Sequence, residues 1–221
     1  MKGNTLEAKK FTALTVVRAG LFIAMSLVLK VIFEIYIPLG GIPALRINFA
    51  SIPIMLSGII LGPAMGFCTG ASADIINFAI KPGGPFFPGF TLVSALSGFI
   101  PGFIFKYIKK DINYNTLNTV FISLLSVGFV AVFMANGLLY LEGSTIIYNG
   151  KPLNIAYIIG FFTLVAAYLL VPVKLTAGNE LKMNKIVFTV SITQLITSIM
   201  LSTYFLSVLY GKGFLIFLPA R

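Results

Sequence analysis

Of 221 residues, 58% are hydrophobic and 10% charged, which excludes a soluble globular domain and predicts one membrane domain over residues 1–221. The apolar runs are long and continuous, which excludes the roughly ten-residue alternating strands of a membrane β-barrel and sets the class as an all-α polytopic membrane protein. The formal charge of +10 gives no reason to expect a nucleic-acid partner, because the basic residues fall mostly between the apolar runs.

Residues 1–10 are polar and carry Lys2, Lys9 and Lys10. The apolar run over 11–38 is too long for a secretory signal core and is read as the first span, entering from the cytoplasm by the positive-inside rule. Lys30 and Glu34 stand four apart within it and are expected to pair. Residues 39–44 form a loop on the outer side, and the second span runs over 46–61. Gly62-Pro63 makes a tight inner turn, and the third span covers 64–80. In that span Gly66, Gly70 and Asp74 recur at spacing four, which predicts a packing seam of small residues that turns the carboxylate into the bundle. A carboxylate at membrane depth costs about 2.5–3.5 kcal/mol or more, so it needs a partner. Two readings of Asp74 stand here, a ligand contact and a structural hydrogen bond to loop backbone.

Residues 81–91, Lys-Pro-Gly-Gly-Pro-Phe-Phe-Pro-Gly-Phe-Thr, follow directly. Their prolines and glycines forbid regular helix in hydrocarbon and predict a shaped loop at the bundle's end. Its phenylalanines suit an interfacial anchor or a cover over a flat ligand. The fourth span, 89–107, ends among Lys106, Lys109 and Lys110. A fifth is expected over 117–140, an outer loop over 142–154 and a sixth span over 155–173. Lys174, Lys182 and Lys185 precede a seventh over 186–210, and the tail 211–221 is placed outside. Seven spans, within a bundle of six to eight, put every lysine cluster in the cytoplasm. They leave Arg46, Lys81, Lys151, Lys212 and Arg221 outside, a set suited to an anion.

Chemistry-bearing residues are few. The chain has no histidine and one cysteine, Cys68, which leaves no His-ligated metal, His general base or disulfide framework. No enzyme activity, metal or cofactor is expected. A glycine-rich phosphate loop ending in Lys-Ser or Lys-Thr is also missing from the sequence, so ATP-driven transport would need a partner ATPase.

Several motifs occur together and in order: Gly20-Leu-Phe-Ile-Ala24, Arg46-Ile47, Ile52-Pro53, Leu61-Gly62-Pro63-x-x-Gly66, Asp74 and Phe87-Pro88-Gly89-Phe90-Thr91-Leu92, then Leu209-Tyr210-Gly211-Lys212 and Leu218-Pro219-x-Arg221. Together they resemble the folate-type substrate-binding (S) components of energy-coupling factor (ECF) vitamin transporters, most closely over 20–102 and 201–221. The resemblance implies a protein of the cell membrane that binds a vitamin outside and docks on a shared coupling membrane subunit carrying two ATPase subunits. It then topples to release its cargo.

Folate suits the residues: Phe86, Phe87 and Phe90 offer faces for a pterin, with Phe87 and Phe90 preferred, and Asp74 can accept from ring N–H groups. The implied substrate site is Arg46, Asp74, Phe87, Phe90, Thr91, Lys212 and Arg221, and the implied coupling face is Gly20 and Ala24. The chain departs from the family pattern by an extra pair of spans, about 117–173, flanked by the core-like regions 11–110 and 186–221. It also ends at Arg221, where the pattern continues into one more helix. Competing readings are an S component for riboflavin, thiamine or a queuosine precursor, a membrane-embedded enzyme, and a stand-alone carrier coupled to protons through Asp74. The enzyme would bring several intramembrane acids or a metal cluster, and the carrier an inverted repeat of broken helices.

Overall fold

The computed structural model describes residues 12–39, 42–47, 49–82, 85–108, 114–135, 139–142, 145–148, 151–152 and 180–211, with Ile159, Thr163 and Ala166. These residues form two compact units.

The first unit holds four helices: α1 (Ala13–Phe33), α2 (Ser51–Leu61), α3 (Pro63–Ile80) and α4 (Pro88–Tyr107). The α2–α3 corner is made by Gly62, whose φ of +98° is open to glycine at little cost, and by Pro63, whose missing N–H is no loss at a helix start. Gly62 donates its N–H to the Gly58 carbonyl at 2.9 Å, closing α2 as α3 begins. The tight turn expected at Gly62-Pro63 is therefore present. α4 lies against both α2 and α3 at backbone distance. A Cβ on Gly102 would stand 2.6 Å from the Gly58 carbonyl oxygen and 2.7 Å from the Pro63 Cα, closer than side chains tolerate. Ser26 ties α1 to the approach of α2 by donating to the Ala50 carbonyl at 2.9 Å.

Burial runs opposite to that of a soluble domain. Most buried positions in this unit are small or polar, such as Ala73, Ala95, Ser57, Thr69 and Ser97, with Ile54, Met55 and Ile104 the larger exceptions, while Val17 and Leu21 are each 61% exposed. Hydrocarbon solvates large aliphatic side chains as well as a core does, so small residues gain the interior, where close backbone packing decides. Among the described residues, Ala13–Phe33, Pro88–Tyr107 and Asn184–Tyr210 are long and apolar enough to cross a bilayer.

The second unit contains paired strands β1 (Ile35–Leu39) and β2 (Ile42–Ile47), assigned to it over residues 36–46. It continues with α5 (Tyr114–Ala135) and the strands β3 (Leu139–Glu142), β4 (Thr145–Tyr148) and β5 (Lys151–Pro152). β3 runs antiparallel to β4, with Leu139 opposite Tyr148 and Glu142 opposite Thr145, and β4 runs antiparallel to β5. Its last elements are α6 (Glu180–Gln194), a π-helical segment (Leu195–Ser202) and α7 (Thr203–Tyr210).

The spans that the structure describes are helical, as expected, and the described strands lie in connections between them. They are two to six residues long, short of the 9–11 a membrane strand needs. Three boundaries move. The first helix stops at Phe33 rather than residue 38, with Glu34 extended and β1 following over Ile35–Leu39. The second helix begins at Ser51, which leaves Arg46 on β2 instead of at a helix start. The fifth helix ends at Ala135, and β3 takes Tyr140. Apart from Ile159, Thr163 and Ala166, the expected sixth span lies outside the described residues.

Candidate functional site

Asp74 lies on α3 one turn beyond Gly70, and Gly70 sets its surroundings. A Cβ on Gly70 would overlap the Ser94 carbonyl oxygen, so glycine brings the α4 backbone against α3 at this level. The approach carries Thr91 and Ser94, one turn apart on α4, to the carboxylate. Thr91 Oγ1 donates to Asp74 Oδ2 at 2.8 Å, and Ser94 Oγ donates to Oδ1 at 3.4 Å, a weaker contact. A carboxylate offers about four lone-pair sites, so the two hydroxyls orient Asp74 and leave about half its accepting capacity for other donors. Both of these hydrogen bonds come from side chains of α4, the structural kind of contact considered above but with hydroxyl donors. Asn77, three residues on, is 3% exposed and gives the same stretch of α3 a second interior polar side chain.

The aromatic loop leads directly into these hydroxyls. Phe87 caps α4 in an extended conformation, and Pro88 opens the helix. The Phe90 N–H reaches back to the Phe87 carbonyl at 3.0 Å. That turn brings the Phe87 and Phe90 rings edge to face, 5.8 Å between centroids at 64°. Phe86 instead meets Phe78 at 5.1 Å and remains 50% exposed. The first unit thus assembles Asp74, Thr91, Phe87 and Phe90: a fixed carboxylate, a hydroxyl holding it, and two partly buried rings on the same helix entry. Such a group can hold a flat ring that presents N–H donors at one edge.

The other expected site residues are not brought to this group by anything described. Arg46 lies on β2, while Lys212 and Arg221 lie outside the described residues. Gly20 and Ala24 are both exposed on α1, and no atom lies within 4 Å of the position a Gly20 Cβ would take. Ser94 went unrecognised in the sequence reading. Its signal is its place three residues after Thr91, which puts both hydroxyls on one face of α4. Among the described residues no cluster of His, Cys, Asp or Glu suits a metal.

Known proteins agree with the class. The family described as "ECF-type riboflavin transporter, S component" matches residues 10–176. The folate transporter FolT of Clostridium novyi (strain NT) is 34% identical over 94 residues, 42% of this chain and 54% of that protein, so the chain spans about half the length of this curated relative. A crystal structure of FolT bound with folic acid is similar with a TM-score of 0.41 and 24% identity, over 79% of this chain and 96% of that one. With more than half of its residues matched by the family, this chain belongs to the S components of ECF-type transporters.

Proposed function

We propose that the chain is the vitamin-binding subunit of an ECF-type importer and that its cargo is folate. The observation that carries this reading is the Asp74 carboxylate, oriented by Thr91 and Ser94 of the helix whose entry carries the Phe87–Phe90 pair. A pterin presents its 2-amino group and ring N3–H side by side, two donors that match the two oxygens of one carboxylate. Its flat face suits the rings, and the glutamate of folate supplies carboxylates for the basic set Arg46, Lys212 and Arg221. The likeness to a folate transporter supports the same cargo.

The second reading is riboflavin, favoured by the family's description. Its ring edge presents one N–H flanked by two carbonyls, which turns acceptors toward an acceptor-only group. A site built for one hydrogen-bond pattern rejects the other by leaving polar groups unpaired, often by several orders of magnitude. The carboxylate therefore favours folate.

The chain works with the N-terminus in the cytoplasm and the aromatic loop outside. It docks through the exposed small residues Gly20 and Ala24 on a coupling membrane subunit, and two ATPase subunits supply the ATP hydrolysis for which the sequence has no phosphate loop. Co-purification of the native complex, with mass spectrometry of the bound small molecule, tests this directly. Folate together with a coupling subunit and ATPases is expected. A co-purifying flavin with the same subunits would change the cargo, and no associated subunits would refute the importer.

A further inference from the structure

The α3–α4 seam continues past Asp74. Gly66 meets Gly98 backbone to backbone, Gly70 meets Ser94, and Asp74 takes the Thr91 hydroxyl, so the two helices run antiparallel in one register. The same register holds beyond the carboxylate, where the Phe78 and Phe86 rings meet at 5.1 Å. Asn77 therefore stands level with Phe87 and Pro88. It is one turn beyond Asp74, at the helix entry that carries the Phe87–Phe90 pair.

Other buried polar side chains of the seam are satisfied within their own helices. Thr69 donates to the Met65 carbonyl at 2.8 Å and Ser97 to the Val93 carbonyl at 2.9 Å, bonds that leave little over for a ligand. Asn77 differs. It is 3% exposed, and its backbone carbonyl accepts from the Lys81 N–H at 2.9 Å as α3 ends. Among the described residues, no hydrogen bond to its side-chain amide is present. A buried amide without a partner destabilises the fold unless something outside the chain completes it.

We infer that Asn77 determines specificity: its amide donates to the ring carbonyl next to the two donors held by Asp74. Along one edge of a pterin the 2-amino group, N3–H and the C4 carbonyl follow one another. Asp74 is an acceptor, so it serves the first two groups and cannot serve the third. An amide carries two N–H donors, and Asn77 supplies them one turn further along the same helix. This inference rests on the folate reading above.

The test compares wild type, Asn77→Leu and Asn77→Asp. It measures ligand-free thermal stability and, by competition with labelled folate, the affinities of pterin and of 2-aminopteridine, the ring without the C4 oxygen. Asn77→Leu is expected to bind folate and pterin about tenfold more weakly, the loss of one hydrogen bond. It should bind 2-aminopteridine as wild type does and keep the ligand-free midpoint. Asn77→Asp keeps the side-chain shape and removes the donors, so it loses at least as much pterin affinity. Wild-type pterin affinity in either variant overturns the assignment. So does an equal loss for both rings, or an Asn77→Leu protein that fails to fold or melts lower without ligand, which marks the amide as structural. A wild-type protein that binds no folate refutes the cargo reading instead, so the two failures are distinguishable.

Discussion

Gly70→Ala tests how the seam builds the site. The added Cβ would overlap the Ser94 carbonyl oxygen and stand 3.0 Å from the Ala95 Cα. Both obstacles are backbone and cannot rotate aside. Carbon–carbon contact is comfortable from about 3.5 Å, so α4 has to retreat by at least ~0.5 Å, and by more to clear the oxygen. The Thr91–Asp74 bond, 2.8 Å at rest, then stretches beyond good geometry, and the 3.4 Å Ser94 contact is lost. Overpacking of this kind costs about 1–3 kcal/mol, and losing a hydrogen bond to a charged acceptor about 1.5–3 kcal/mol. The sum, roughly 2.5–6 kcal/mol, is a large part of a typical domain's stability. Thermal unfolding in detergent and a folate titration read the two effects, with Gly20→Ala as the control whose added methyl meets nothing. Gly70→Ala is expected to melt well below wild type and to bind folate at least tenfold more weakly. Wild-type melting together with wild-type affinity would refute the claim that this glycine sets the carboxylate's geometry.

The remaining predictions concern single side chains. Asp74→Asn keeps the shape and removes the charge, so folate affinity should fall about 100-fold, the loss expected of charge-assisted bonds worth about 1.5–3 kcal/mol. Gly20→Leu adds bulk to an exposed face of α1; vitamin binding should persist while co-purification with the coupling subunit is lost. Arg46→Ala should weaken folate about tenfold and leave a pterin without the glutamate tail unaffected, as competition binding would read.

The sequence made the seam legible because close backbone packing demands glycine. The four-residue spacing of Gly66, Gly70 and Asp74 therefore announced both the packing face and the interior carboxylate. Gly62-Pro63 was equally readable, since few pairs turn a chain so tightly. Phe87, Phe90 and Thr91 were marked by the Phe-Pro-Gly-Phe-Thr-Leu motif that carries the resemblance, while the opening of α4 at Pro88 inside that motif was read as loop. The strands at 35–47 and 139–152 were hidden because short apolar segments with β-branched residues look alike as helix ends and as strands. The π segment was hidden for a different reason: a changed ladder spacing has no compositional mark. Ser94 was missed because its spacing from Thr91 marks a shared face of α4, while its reach to Asp74 depends on how closely α4 approaches α3.

The central claim, a carboxylate site for a ring with two adjacent donors, is tested most directly by competition at equilibrium. Detergent-purified protein is loaded with labelled folate and challenged with riboflavin and with a simple pterin. The account predicts saturable folate binding that the pterin displaces and that riboflavin leaves untouched even in large excess. Displacement by riboflavin at concentrations comparable to folate would contradict it.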